Sequence, residues 1–400
     1  MTDTAGTPPG SDPGADVGAS ASGDGLIRRR RRRWTQGAVL GLTALVLLGA
    51  GGGRLAYTRL DGDITADEAA AAELARYERE RPTALVRGAQ NILLIGSDTR
   101  SGDGNGAYGR NTGNTGAGRS DTAILLHLGA DRHSATAVSL PRDLMVAVPS
   151  CLRPDGGRSA PGFAMLNSAF ETGGSACAVR TVEKLSGIRI DHYAVVDFSG
   201  FKEMVDAVDG VEVCLREPVD DRAAGLRLPA GRVTLDGEQA LGYVRARKSL
   251  GDGSDTDRME RQQQFLGALV NKMRGNDVLL NPVKLYPLLD AATSALTTDP
   301  GLASLRGLYQ LVRGLRNIPT EHVQFLTVPR ESYPSDANRD QLVEPEAGKL
   351  FEQLRSDAPV TITRRIPSES ATKSGNSGGQ NDPSPPPTFR GNTATEDPCG

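Results

Sequence analysis

NILLIGSDTR, residues 91–100, decides how this chain is read. Six residues, Asn91 to Gly96, are almost wholly apolar and show no alternation, and a polar Ser-Asp-Thr-Arg run follows at once. A short unbroken apolar run of this kind is the pattern of a strand covered on both faces, because a strand with one wet face alternates polar and apolar positions. AILLHL (123–128) and ATAVSLP (135–141) repeat the pattern downstream. Further out, helical and strand periods alternate. SACAVRTVEKLSG (175–187) reads as a helix closed by Gly187. HYAVVDF (192–198) reads as a strand, FSGFKEMVDAVDG (198–210) as a helix and GVEVCL (210–215) as a strand. DGEQALGYV (236–244) is a short helix, and 257–274 a long one with Met259, Leu266, Leu269, Val270 and Met273 on one apolar stripe. Helices near 283–297 and 302–316, a strand at VQFLTVP and a last helix at EAGKLFEQLR complete the pattern. This alternation predicts an α/β domain over residues 89–365, with helices covering a largely buried sheet.

The flanks have another character. Residues 1–33 are rich in Gly, Ser, Ala, Asp and Pro and end in six arginines, Arg28 to Arg33. The early part has too little apolar surface to order. Residues 34–54 contain the uncharged run WTQGAVLGLTALVLLGAGGG, whose twenty residues, at about 1.5 Å each, match a hydrocarbon core of roughly 30 Å. With the arginines on its N-terminal side, this predicts a single-pass membrane helix with a cytoplasmic leader and an extracytoplasmic C-terminal bulk. Residues 55–88 read as a charged, helical, solvated linker closed by Pro82. Residues 366–400 are Ser/Pro/Gly/Asn-rich and are expected not to fold.

Composition removes several function classes. A net charge of −3 gives no bulk attraction to nucleic acid, and 4% aromatics are too few for a base-stacking platform. No GxSxG or GxxxxGK[ST] occurs, which removes the serine-hydrolase elbow and the P-loop. The histidines share no ligand spacing. The four cysteines form no CxxC, so a zinc knuckle is not expected. In an oxidising exterior Cys151–Cys177 is the favoured disulfide, both lying close in sequence and in loop-rich stretches. Cys214 reads as a small buried apolar residue, and Cys399 carries no assignment.

What remains is a set of acids and arginines at strand ends. Asp98 and Arg100 follow the first strand, Arg119 and Asp121 precede the second, and Arg142 and Asp143 follow the third. Ligands of open α/β sheets bind outside strand ends, so these segments are expected to converge. Arg245 and Arg247 would share a face only if the chain is extended there, which is the expectation. Arg258, Arg261 and Gln262 share one face of the long helix by their i, i+3 and i+4 spacing. Arginines suit a diphosphate, since guanidinium groups bind phosphate oxygens bidentately and stay charged. A carboxylate pair can hold Mg²⁺, which keeps several waters and takes other ligands from substrate phosphates.

The ordered motifs NILLIGSDTR, GRSDTAILLHL, SLPRD, LNSAF, DHYAVVDFSGFKEMVDAVDGVEV, LDGEQALGYVRARK and DRMERQQQF resemble the LytR–CpsA–Psr family of cell-wall glycopolymer ligases over about 91–275. The resemblance implies a central mixed sheet flanked by helices. It implies transfer of a phosphoglycan from an undecaprenyl-diphosphate carrier to a muramic-acid hydroxyl of peptidoglycan, beside the membrane. By motif it implies Asp98 and Asp121 as the metal and acid/base pair for Mg²⁺, or Mn²⁺ in its place. Arg119, Arg142, Arg245, Arg247, Arg258 and Gln262 are implied as diphosphate contacts, and Asp121 as the preferred base. Asp257 departs from the family, which usually has glycine there. The arginine leader and the Cys151–Cys177 pair are similar to those of actinobacterial members. Two other activities fit the same residues: a polyprenyl-diphosphate-glycan hydrolase and a non-catalytic receptor for cell-wall precursors.

Overall fold

The computed structural model describes residues 51–55, 57–98, 118, 120–222, 224–246, 255–274, 282–363, 388–396 and 399. The chain divides into two compact units, Met1–Thr58 and Arg59–Gly400. In the first, the described residues 51–55 and 57–58 are helical. Among the described residues no helix is long and apolar enough to cross a membrane, and the expected span, apart from 51–54, lies outside them.

The second unit is built on one mixed sheet. Its strands are β1 (Thr65–Ala66), β2 (Gln90–Ser97), β3 (Ser120–Leu128), β4 (Ala135–Leu140), β7 (His192–Val196), β12 (Leu296–Thr298), β13 (Val323–Thr327), β16 (Thr361–Thr363) and β17 (Thr388–Thr393). Their order is β1-β12-β7-β2-β3-β4-β13-β17-β16. β2 runs parallel to β7 and antiparallel to β3, while β4 runs antiparallel to β3 and parallel to β13. Short hairpins leave this frame: β5 (Met145–Val148) with β6 (Gly162–Met165), β8 (Val211–Leu215) with β11 (Gly231–Leu235), β9 (Val219–Asp221) with β10 (Leu226–Leu228), and β14 (Arg330–Tyr333) with β15 (Asp336–Leu342). GVEVCL is therefore a strand, but of a hairpin and not of the central sheet.

The apolar run that opened the reading is buried on both faces. Leu93, Ile95, Leu125 and Val138 join one core with Phe170, Val179, Leu350 and Phe351. Ile92, Ile124, Ala137 and Phe325 join the core on the other face. The first core is closed by α1 (Glu68–Arg76), α2 (Leu166–Ser186) and α8 (Glu346–Arg355), the other by α5 (Asp255–Arg274) and α7 (Leu305–Arg316). A third core gathers α3 (Phe198–Ala207), α4 (Gly237–Arg245), α6 (Pro282–Ala295) and the β8 and β10 hairpins around Tyr243 and Phe265.

Three expectations are corrected. The linker is not solvated throughout: α1 buries Ala70 and Leu74 in the first core, and its buried Glu73 is held by Arg158 at 2.8 Å. Cys177 lies within α2, not in a loop. The helix breaks at Gly173 and Gly174, the latter left-handed at φ 60°, and a side chain at Gly173 would meet Cys151 Cβ at 2.9 Å. That close approach brings Cys151 and Cys177 together, and they are disulfide-bonded as expected. The tail is not wholly unstructured. β17 inserts between β13 and β16 with Phe389 buried, and Cys399 is bonded to Cys214, which is therefore no isolated apolar residue.

Candidate active site

The acids and arginines gather along one edge of the sheet because of how the strands end. β2 and β3 pair antiparallel until Gly96↔Thr122, and the next pair is Ser97↔Ser120. Asp121 is thus the extra residue of a β-bulge, a device that re-aims one side chain. The β3–β4 register, continued past Ala123↔Leu140, brings Arg142 opposite Asp121. Arg142 Nη1 donates to Asp121 Oδ1 at 2.8 Å, and its Nε donates to Asp143 Oδ2 at 3.2 Å. Pro141 has no N–H to continue the ladder, so the chain turns there and leaves Arg142 at the edge. Asp98 directly follows β2 at this same edge, half-buried.

Burial works to lower the Arg142 guanidinium, but Asp143 and Asp121 outweigh it and hold the group above its ordinary value. It stays a cation under all working conditions. The pair is partly open to solvent, Asp121 at 31% and Arg142 at 23%, so a phosphate oxygen can compete for the same donors.

β7 ends beside β2, and Asp197 caps α3 there by accepting from Gly200 N at 2.8 Å. Phe198 follows, and the Arg245 guanidinium lies over its ring at 4.5 Å. The expected extended chain at 245–247 is corrected: Arg245 is the last residue of α4, and extension begins at Ala246 (φ −55°, ψ 137°). The capping box of Asp236 and Gln239 at the other end fixes this register, so the helix runs out just as Arg245 reaches the edge. Arg119 and Arg247 lie outside the described residues, as does most of the Gly- and Asn-rich stretch 101–118.

The N-terminal turns of α5 close the site from above β4 and β13. Gln263, buried, donates to Ser139 Oγ at 3.1 Å and to Thr327 Oγ1 at 3.0 Å. Gln262 donates to Val244 O at 3.2 Å, and Arg261 to Ala246 O, so two predicted ligand-facing residues satisfy carbonyls at the end of α4. Burial lowers the Arg261 guanidinium from its ordinary value, against the pull of Tyr243, Asp257 and Asp221. Arg258 is buried at 7% and meets Asp255 at 3.3 Å.

Three participants went unread in the sequence: Arg330, Thr256 and Asp340. Arg330 binds the Asp340 carboxylate and the Thr256 hydroxyl. A signal existed, because Thr327-Val-Pro-Arg-Glu331 repeats the pattern of Ser139-Leu-Pro-Arg-Asp143 at the end of the neighbouring parallel strand, in register at Thr327↔Ser139.

Asp98, just after β2, and Asp121, at the β3 bulge, stand at adjacent strand ends and carry hard carboxylate oxygens. That set fits Mg²⁺, which needs only one or two protein carboxylates.

The LytR_cpsA_psr family matches residues 61–356. The cell wall biosynthesis protein LcpA of Corynebacterium glutamicum is 35% identical over 72% of this chain, which spans 58% of that relative's length. The polyisoprenyl-teichoic acid–peptidoglycan teichoic acid transferase TagU of Oceanobacillus iheyensis is 30% identical over 72% of this chain and 84% of its own. A LytR-Csp2A-Psr enzyme from Actinomyces oris shares the fold, with a TM-score of 0.53 at 22% identity over 68% of this chain and 93% of that one. The chain belongs to the LytR_cpsA_psr family.

Proposed function

We propose that this chain is a phosphotransferase that moves a phosphoglycan from a polyprenyl-diphosphate carrier onto a peptidoglycan hydroxyl. The observation that carries this reading is the Asp121–Arg142 pair, 2.8 Å apart on a bulged strand edge, with Asp98 and Asp143 beside it. Simple anion binding gains nothing from added carboxylates, whereas group transfer to a hydroxyl needs a proton acceptor. The names of the relatives above point the same way.

In this reading Arg142, Arg245 and Arg258 grip the diphosphate, with Arg119 and Arg247 joining them. The acceptor hydroxyl attacks the glycan-side phosphorus while Asp121 takes its proton. A new P–O bond forms, the bond to the bridging oxygen breaks, and polyprenyl phosphate leaves carrying that oxygen. Mg²⁺ held by Asp98 and Asp121 would supply neutralisation of charge on the diphosphate. Residues 34–54 would anchor the chain in the plasma membrane, with the leader cytoplasmic and the site extracytoplasmic, close to the lipid carrier.

The test uses the full-length chain in detergent micelles with a lipid-diphosphate oligosaccharide, peptidoglycan oligomers and Mg²⁺. Mass spectrometry should find a glycan–phosphate–peptidoglycan adduct, lost in Asp121→Ala, Arg142→Ala and Arg245→Ala and on chelation. Free glycan phosphate without adduct would replace transfer by hydrolysis. Binding without turnover would leave a receptor.

A further inference from the structure

We infer that Arg330 is a positioning residue of this site: through Asp340 and Thr256 it holds the first turn of α5, and with it Arg258, against the strand edge that carries Arg142. The inference rests on the transfer reading above.

Four observations carry it. First, β4 and β13 are neighbouring parallel strands, about 4.8 Å apart, and both stop at a proline followed by an arginine. Arg142 and Arg330 therefore leave the sheet side by side. Second, their partners differ in kind. Arg142 is bound to the half-open Asp121, where a ligand can reach it. Arg330 is bound to Asp340, only 9% exposed, and to Thr256 in the first turn of α5. An arginine tied to a buried acid and to a helix end is built to hold, not to exchange.

Third, Asp340 also joins the Arg142 segment directly. Its backbone N–H donates to Asp143 O at 3.1 Å, and it forms a bridge with Leu144. Burial pushes the Asp340 carboxyl up, as do Asp255 and Asp143, while Arg330 pulls it down. Asp340 thus feels both Asp143 and Asp255, which have Arg142 and Arg258 as their own partners, and Arg330 is the counter-charge of Asp340. Without it, the buried Asp340 carboxylate would be left uncompensated at the joint between the strand edge and the helix end. Fourth, α5 is pinned again at Gln263, which binds Ser139 and Thr327 on those same two strands. Loss of Arg330 should therefore fray the helix only before that point and leave its body seated.

The experiment compares wild type with Arg330→Gln, Arg330→Lys and, as a control on the same hairpin, Glu331→Gln, all as full-length chains in micelles. Amide hydrogen exchange is followed through α5. Inorganic pyrophosphate binding is titrated, and donor turnover is measured at saturating acceptor. The expected result for Arg330→Gln is exchange at least tenfold faster in 255–261 and unchanged in 265–274. Pyrophosphate Kd and donor KM should each rise about tenfold, with kcat within threefold. Arg330→Lys, which keeps the charge but not the two-point bridge, should recover part of both, and Glu331→Gln should match wild type. Unchanged exchange in 255–261 would overturn the inference, and so would faster exchange with an unaltered pyrophosphate Kd. If wild type neither binds pyrophosphate nor turns over donor, the transfer reading falls instead, and the exchange comparison still decides whether Arg330 holds the helix end.

Discussion

Replacing Cys214 and Cys399 together by serine removes the disulfide that closes the largest loop in the chain, a sequence separation of 185 residues. In the chain-entropy treatment such a cross-link restricts the unfolded ensemble by about 5 kcal/mol at 25 °C, against about 3.5 kcal/mol for the 26-residue separation of Cys151 and Cys177. Measured losses usually fall lower, so about 2–4 kcal/mol is expected. The structure adds a local consequence. Cys399 lies beyond β17, which pairs with β13 through Gln324↔Thr393, Phe325↔Asn392 and Leu326↔Gly391 and buries Phe389. With the bond gone, the ladders to β13 and β16 and the burial of Ala394 and Phe389, the ring alone worth about 1.5–3 kcal/mol, are what oppose detachment of the strand. α5 would feel that detachment, because Asn271 donates to Ala394 O. Urea denaturation of the double-serine chain, followed by far-ultraviolet circular dichroism, reads the global loss. Hydrogen exchange at 388–393 reads the local one. A global change below about 1 kcal/mol, with β17 amides still protected, would refute the argument outright. Loss of β17 protection with an unmoved midpoint would show that the bond holds the strand but does not constrain the unfolded chain.

Three further substitutions test separate parts of the frame. Arg81 binds the buried Glu183 through Nε and Nη2 at 2.8–3.1 Å, so Arg81→Ala should cost about 3–5 kcal/mol in chemical denaturation, and Glu183→Leu added to it should recover much of the loss. At Gly200 an added Cβ would stand 2.2 Å from Ala295 Cβ where α3 crosses α6, so Gly200→Ala should cost about 1–3 kcal/mol by the same assay. His192 is held above its ordinary 6.5 by its hydrogen bond to Asp299, against burial. Burial lifts the Asp299 carboxyl, yet His192 and the backbone N–H groups of Tyr193 and Gly301 keep it below 3.8. The pair's contribution is complete between those two ordinary values; it is lost as pH rises through the raised imidazole value or falls through the depressed carboxyl value. His192→Gln should therefore destabilise the chain near pH 5 and have much less effect near pH 9, as read from denaturation midpoints across that range.

The parts of the fold legible in the sequence are those written by local period. NILLIG, AILLHL and ATAVSL could only be strands with two dry faces, and the stripe of 257–274 could only be a helix against a core. What escaped depends on pairing between distant segments. TFRGNT (388–393) has one large apolar side chain, Phe389, and no run of its own; it becomes a strand because β13 offers a free ladder and Cys214 a covalent partner. α1 looked like a solvated spacer because the stretch is charged, and the shortest ion pair that lets Glu73 be buried comes from Arg158, 85 residues away, with Arg76 on the same helix more distant. An ion pair of that reach leaves no mark on the period of either segment.

The site divides along the same line. Its acids and arginines were legible because each stands at the end of a strand readable by itself. Their division of labour was not. Gln262 and Arg261 share a helix face with Arg258 by spacing, yet the first two are drawn to the carbonyls that end α4, a demand created by where α4 stops. Arg142 and Arg330 follow the same Pro-Arg pattern on adjacent strands, yet one faces a half-open carboxylate and the other a buried one. The bulge decides the first: it turns Asp121 toward Arg142 and keeps that pair within reach of solvent. The β14–β15 hairpin decides the second, because its return strand carries Asp340 back over the end of β4 and α5 covers it. Equivalent arginines thus acquire different tasks from the burial of their partners, and a ligand competes most readily for the arginine whose own carboxylate is wet.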